Sequence, residues 1–103
     1  MNLGQILKLI RNNKGMTQQE MATLIGISQN YLSLIESNSK VPSSDKLSDF
    51  ADALKISKEA LTFISSPPPK ELLEDDKNKY IALQKNIIHL LLFDLTGEMM
   101  QYA

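Results

Sequence analysis

Three consecutive prolines at positions 67 to 69 constrain the fold of this chain more than any other feature. Proline lacks a backbone N–H and favours an extended polyproline segment, so no helix or central strand runs through all three. The sequence therefore predicts an N-terminal domain over residues 1–66, a Pro-rich linker over 67–70 and a separate element over 71–103.

Apolar residues before the prolines recur at helical spacing, as Leu3, Ile6, Leu7 and Ile10 do in the first segment. The starts of the next four helices are marked by hydroxyl side chains that can accept a bond from a free backbone N–H; these residues are Thr17, Ser28, Ser43 or Ser44, and Ser57. No segment alternates as a strand does. We expect an all-α domain of five short helices with short connections.

The predicted ends of these helices carry residues that suit a left-handed backbone or a tight turn. Gly15 and Gly26 have no Cβ to crowd such a turn, and Asn38 tolerates a left-handed position after the third helix. Glu20 follows Thr17 by three residues, which is the pattern of a capping box. The second helix is expected to turn Met21, Leu24 and Ile25 inward.

Composition excludes several functional classes. The chain has no cysteine and one histidine, His89, so the sequence offers no thiolate nucleophile and no zinc cluster. Neither a metal, a cofactor nor a catalytic residue is expected. No signal peptide or membrane span is apparent, and we expect a cytoplasmic protein with no membrane partner. The net charge of −1 means that any nucleic-acid binding must rest on local placement.

The third helix, over residues 28–36, has an outer face of uncharged polar side chains. At about 100° per residue, Leu32 and Ile35 define the core side, and the opposite side carries four residues: Gln29, Asn30, Ser33 and Leu34. Amides can bond a base edge through two hydrogen bonds, and leucine can contact a thymine methyl. A solvated surface without function is the alternative interpretation.

Several motifs in order resemble the phage-repressor-like helix-turn-helix family, also called the xenobiotic-response-element or Cro/C1 type. They are TQQEMA, GIS, YLSLIE, the loop SNSKVPS and the closing ALKIS. The resemblance covers about residues 3 to 64. It implies a five-helix repressor-like DNA-binding domain with a helix-turn-helix, whose recognition helix enters the major groove of double-stranded DNA.

The resemblance also implies roles for individual residues. Base readers are expected at the four outward positions of the third helix named above. Phosphate contacts are expected at the starts of the motif helices and in the following loop, namely at Thr17, Gln18, Ser28, Tyr31, Ser39, Lys40 and Ser43. Tyr31 lies between the core side and the outer side of the third helix, and packing against the core is the alternative for this residue. Loop N–H groups, hydroxyls and a lysine suit phosphate oxygens. In relatives the residue at Gln18 often also braces an amide of the recognition helix, and Arg11 with Glu36 matches a structural ion pair.

Three positions depart from the family pattern. Asn38 stands where glycine is common, and the turn is expected to survive. Leu34 stands where some relatives have a polar side chain that hydrogen-bonds a base. Base recognition is therefore expected to depend on Gln29, Asn30, Ser33 and a methyl contact from Leu34. Lys40 replaces a frequent arginine, which keeps the charge but loses bidentate geometry.

The element after the prolines is predicted to be one long helix with more apolar surface than a solvated helix needs. Exposing that surface would cost about 25 cal/mol per Å². Self-pairing across a two-fold axis would cover it, and we assign dimerisation to one seam: Ile81, Ile88, Leu91, Leu92, Leu95 and Met99. The open alternative is that the helix folds back on its own domain.

The preferred hypothesis is a sequence-specific transcriptional regulator, and more specifically a repressor, that binds a palindromic operator as a homodimer without catalysis. The alternative is an antitoxin-like or anti-regulator module whose C-terminal helix binds a different protein. A regulatory protein partner is compatible with both hypotheses.

Overall fold

The computed structural model describes the backbone of residues 1–96 and the side chains of residues 1–92. The predicted contacts of the Leu95 side chain and of Met99 lie outside the described residues. The described elements are all helices: α1 (Leu3–Asn13), α2 (Gln18–Ile25), α3 (Gln29–Glu36), α4 (Ser44–Leu54), α5 (Lys58–Ser65) and α6 (Glu74–Thr96). The prediction of an all-α fold is confirmed.

The helices begin where local side chains satisfy free backbone donors. The predicted capping box is confirmed, since Thr17 Oγ1 accepts from the Glu20 N–H at 3.1 Å and Glu20 accepts from the Thr17 N–H at 2.9 Å. Ser28, Ser43 and Ser57 cap α3, α4 and α5, and Ser43 rather than Ser44 is the cap of α4. These short-range bonds explain why the sequence alone located the helix starts.

Left-handed residues end several of the helices. Gly26 has φ of 86°, and Asn38 has φ of 66°, so asparagine does preserve the turn where relatives have glycine. Lys55 also has positive φ, at 58°, which the sequence pattern did not indicate. Its N–H bonds back to Ala51 O and Asp52 O, so the end of α4 is satisfied at the cost of a conformation that lysine rarely adopts.

One apolar core joins the first five helices. It is formed by Ile6, Leu7, Ile10, Met21, Ala22, Leu32, Ile35, Phe50, Ala51, Leu54, Ile56, Leu61 and Ile64. The expectation for α2 was wrong at Leu24, whose side chain is 46% exposed. Ala22 takes the inward place, because it lies about 100° from Met21 on the same side as Ile25.

Helix α6 packs back on this domain, against α5 and α1. Gln84 is 7% exposed, and its Nε2 donates to Phe63 O at 2.8 Å and to Ser66 O at 2.6 Å. These carbonyls lie at the end of α5, where a helix leaves acceptors unpaired. The Phe63 and Tyr80 rings lie 4.9 Å apart beside them. The helix is therefore tied to the domain by hydrogen bonds as well as by apolar contact.

The predicted dimerisation residues have different surroundings in the structure. Three of them are half-buried and pack against the domain core, namely Ile88, Leu91 and Leu92. For these three residues the structure agrees with the alternative that the helix folds back on its own domain. Ile81 is 39% exposed and lines an apolar groove of about 380 Å³ between α1, α5 and α6. Within residues 1–96, no helix combines the length and apolar character needed to cross a membrane.

Candidate nucleic-acid interface

Helix α3 is held in place by its inner face and by close contact with α1. Leu32 and Ile35 are 0% and 1% exposed. Gly4 of α1 lies directly against the α3 backbone, where a Cβ would collide with the Ile35 and Glu36 carbonyl oxygens. The absence of a side chain at Gly4 therefore lets the two helices approach and sets the depth of α3 in the domain.

The outer face of α3 carries the side chains that the sequence assigned to it. Gln29 and Asn30 are exposed, and Ser33 and Leu34 are half-buried. Leu34 is not among the partly buried residues that pack on the core. Among the described residues, neither amide has a hydrogen-bond partner, so both are available to an external ligand.

Arg11 and Glu36 form a buried ion pair that links α1 to the end of α3. Arg11 Nε donates to Glu36 Oε2 at 2.8 Å and Nη2 donates to Oε1 at 3.0 Å, with the side chains 12% and 3% exposed. A third guanidinium N–H donates to Met16 O at 3.0 Å. The hydrogen bond to Glu36 raises the pKa of Arg11 against the opposing effect of burial.

Gln18 joins this ion pair from the start of α2. Its Nε2 donates to Glu36 Oε1 at 3.2 Å. The resemblance implied that this residue braces an amide of the recognition helix, whereas here the braced group is a carboxylate. Glu36 thus receives donors from α1 and α2 together and ties both to the end of α3. The second N–H and the oxygen of the Gln18 amide remain on the half-buried side chain.

Three hydroxyl residues stand at helix starts around α3. Thr17, Ser28 and Ser43 each accept a bond from a backbone N–H of the helix that follows. A hydroxyl that accepts in this way still has its own O–H to donate. Because each residue also lies at the positive end of a helix, each can donate to an anion in a favourable field.

The loop after α3 differs in one respect from the expectation. The N–H groups of Ser39 and Lys40 both donate to Leu34 O, at 2.8 and 3.1 Å, so they close the helix end and are already used. The Ser39 hydroxyl lies 3.0 Å from Ser37 Oγ and donates to it, because the Ser37 O–H already donates to Leu34 O. Of the groups expected to contact phosphate here, the Lys40 ammonium is the one that the loop offers to an anion. The Lys40 Nζ lies 5.6 Å from the Tyr31 ring centroid, which holds the cation beside α3.

The chemistry of this surface is that of polar recognition. Among the residues whose side chains are described, no group of three or more His, Asp or Glu is placed to hold a metal ion. The assembled groups are amides, hydroxyls and one lysine around the exposed end of α3. Sequence reasoning missed the Lys58 bond to Ser44 Oγ at 2.7 Å, because a contact between separate helices has no local signal.

Comparison with known proteins identifies the domain. The profile of the family described as "Helix-turn-helix" matches residues 7–61, which include α2 and α3. An uncharacterized HTH-type transcriptional regulator, YazB of Bacillus subtilis (strain 168), is 37% identical over 67 residues, which are 65% of this chain and 91% of that protein. No solved structure matches. The resemblance seen in the sequence is confirmed, and the chain belongs to the Cro/C1-type helix-turn-helix family of DNA-binding transcription regulators.

Proposed function

We propose that the protein is a transcriptional repressor that binds a palindromic operator as a homodimer, with α3 in the major groove of each half-site. It acts by occupying DNA and needs no catalysis. Domain 1–66 binds DNA, residues 67–70 connect it, and residues 71–103 supply the dimer contact.

The observation that carries this proposal is the pair of free amides on the outer face of α3. Gln29 and Asn30 are exposed on a helix whose opposite face is fully buried, so both project from a rigid support. A side-chain amide can donate its N–H to adenine N7 and accept an N–H from adenine N6 in a bidentate pair, which a charged side chain does not reproduce. Ser33 adds a hydroxyl contact, and Leu34 adds an apolar contact to a thymine methyl.

The phosphate contacts follow from the hydroxyls around α3. Thr17, Ser28 and Ser43 each donate an O–H from a helix start, and the half-buried Gln18 adds its remaining N–H. Lys40 and the Tyr31 hydroxyl complete the row on the other side of α3. These donors, which are neutral except for Lys40, position the domain without reading sequence.

The charge of the domain predicts a shallow salt dependence. Residues 1–66 carry seven basic and six acidic side chains, which leaves +1. Each cation that neutralises a phosphate contributes a slope of about −0.9 to log K against log salt, whereas hydroxyl and amide donors release no counterions. Binding is therefore expected to weaken less with salt than for a strongly basic regulator.

Selection of bound sequences from a random duplex pool tests the proposal directly. The expected result is one palindromic motif whose half-sites lie about 34 Å apart, one turn of the duplex. A reporter whose promoter overlaps that motif should lose expression when the protein is present. Recovery of no motif would contradict the proposal.

Single substitutions test the reading face. Gln29→Ala and Asn30→Ala should each weaken binding to the selected site by about 1–3 kcal/mol and leave binding to unrelated DNA nearly unchanged. Asn78→Ala is the matched control, since it removes an exposed amide from α6. If both α3 variants bind the selected site as the parent does, the assignment of α3 is wrong.

A further inference from the structure

The side of α6 that faces away from the domain carries a row of exposed residues at heptad-like spacing. The row consists of Lys79, Leu83, Asn86 and Leu90, separated by four, three and four positions. Leu83 and Leu90 are 52% and 53% exposed, unusually open for leucines seven residues apart. Spacing of this kind keeps side chains on one stripe of a helix, where they can insert between side chains of a second helix.

This row is separate from the side that holds α6 on its own domain. At about 100° per residue, Gln84 lies about 100° from Leu83 around the helix, and Leu91 lies on the Gln84 side. Gln84 is bonded to α5, and Ile88, Leu91 and Leu92 pack on the core. Three of the four seam residues whose side chains are described, namely Ile88, Leu91 and Leu92, are therefore occupied within one chain, while Leu83 and Leu90 of the row are not.

We propose that two copies of the chain pair through this row, with their α6 helices antiparallel and the two-fold axis beside Asn86. The inference rests on the proposed function, because it specifies the contact of the homodimer. In this arrangement Leu83 of one copy packs against Leu90 of the other, and the same contact recurs across the axis.

The charges at the start of α6 decide the direction. Glu74, Asp75 and Asp76 occupy its first turn, and all three are exposed. Parallel pairing would bring six acidic groups together at one end, where like charges repel. Antiparallel pairing separates the two clusters by nearly the length of the helix, which is roughly 34 Å at 1.5 Å per residue.

The composition of the row favours a second copy over an unrelated protein. The row is self-complementary, since a two-fold axis at its centre exchanges its two leucines. Asn86 lies next to that axis, so its amide can bond across it, and a single polar residue in such a seam specifies register and orientation. No charged side chain lies on the row between Leu83 and Leu90.

The small size of the row predicts how the dimer forms. Stable complexes bury about 800 Å² on each partner, and four side chains on one helix cover only part of that area. Free chains therefore pair weakly, and a palindromic duplex that binds both copies completes the dimer through effective concentration.

Cysteine cross-linking tests the row and its direction in the full chain, which has no cysteine of its own. Leu83→Cys chains are mixed with tagged Leu90→Cys chains at high protein concentration and oxidised without DNA. Antiparallel pairing should give mainly the mixed disulfide, at twice the mass on a non-reducing gel, because a disulfide needs Cα atoms about 4.4–6.8 Å apart. Circular dichroism confirms that each variant is folded.

The matched control places the same thiols on the groove side of α6, as Ile81→Cys mixed with tagged Ile88→Cys. Little cross-linked dimer is expected from that pair. Self-linked Leu83→Cys and Leu90→Cys dimers would overturn the antiparallel direction. More cross-linking in the control pair, or none in either pair, would overturn the row as the dimer contact.

A second measurement separates this inference from the proposed function. Leu83→Asp should abolish cooperative binding to the palindrome while binding to a single half-site stays at the parent's level. Leu73→Asp is the control, since it changes a 75% exposed leucine that precedes α6. Cooperative binding by Leu83→Asp would overturn the assignment of the dimer contact to this row and leave the proposed function intact. A parent chain that binds no selected duplex would overturn the proposed function itself.

Discussion

Helices α3 and α6 both leave one row of side chains in solvent, and the two rows differ in chemistry and in support. Eight residues long, α3 exposes amides and is fixed by a buried ion pair and a close backbone contact. The 23-residue α6 exposes two leucines and is fixed by apolar contacts with the core and by the hydrogen bonds of one neutral buried side chain, Gln84. A helix that recognises DNA bases must be held rigidly, whereas a helix that exposes apolar side chains needs only a defined orientation on its domain.

The largest effect is expected at the support of α3. Glu36→Gln leaves Arg11 charged in a buried site without its counter-charge, which should lower the free energy of unfolding by about 3–5 kcal/mol. Urea unfolding followed by circular dichroism measures the change. Glu59→Gln, an exposed acid on α5, should have almost no effect. Equal losses in the two variants would show that the ion pair is not what holds α3.

The close contact between α1 and α3 gives the next effect. Gly4→Ala places a methyl group against the carbonyl oxygens of Ile35 and Glu36, which belong to a backbone that cannot simply rotate away. Overpacking of this kind should cost about 3 kcal/mol in unfolding free energy. Lys8→Ala on the exposed side of α1 is the control. A Gly4→Ala chain as stable as the parent would mean that α1 and α3 can separate freely.

The support of α6 should be weaker than that of α3. Gln84→Met keeps the volume of the side chain but removes the amide N–H groups that donate to Ser66 O and to Phe63 O. Phe63 O keeps the Ser66 N–H as a donor, whereas Ser66 O loses the donor that Gln84 supplies, and leaving that carbonyl unpaired should cost about 1–2 kcal/mol. Amide hydrogen exchange should then show α6 opening before α1 to α5. Lys85→Met, at the neighbouring exposed position, should change neither quantity, and α6 protection equal to the parent's would contradict the role of Gln84.

The smallest effect concerns the start of α2 and depends on pH. The bond from the Thr17 N–H lowers the pKa of Glu20 below its ordinary value. The ionised carboxylate therefore contributes stability above the unfolded-state pKa, and that contribution is lost as the pH falls through the folded-state pKa.

Comparison of the parent with Glu20→Gln over a range of pH measures this contribution. The parent should be the more stable chain at neutral pH, and the difference should shrink in acid. Glu59→Gln should show no such narrowing. A difference that stays constant with pH would mean that the charge of Glu20 does not strengthen the cap.

Local signals made much of the fold predictable. Caps such as Thr17 with Glu20, and the left-handed Asn38, depend on bonds within a few residues, so the sequence predicted them correctly. Leu24 was missed because packing between helices overrode the local pattern. Lys55 was missed because lysine is not a residue type that indicates a left-handed helix end, although its N–H closes α4 locally. The loop N–H groups of Ser39 and Lys40 were expected to face phosphate and instead bond Leu34 O, which helix closure favours.

The candidate site was partly predictable for the same reason. The periodicity of α3 was enough to place Gln29 and Asn30 opposite Leu32 and Ile35. The spacing of residues along the chain does not indicate which distant residues will be in contact. The hydrogen bond from Gln18 to Glu36 is therefore seen only in the structure. Gln84 gave even less signal, because a glutamine inside an apolar stretch is ordinarily read as a solvated position.

The sequence by itself determined six helices, the caps of α2 to α5, the break at the prolines and the family, because all of these depend on side chains close together along the chain. The tertiary structure decided which apolar face of α6 its own domain covers. That choice depends on the hydrogen bonds from Gln84 to the carbonyl oxygens of Ser66 and Phe63 at the end of α5. These two residues lie 18 and 21 positions before Gln84 in the chain. The spacing of residues along the chain does not predict these hydrogen bonds, because the groups come together only when the chain has folded.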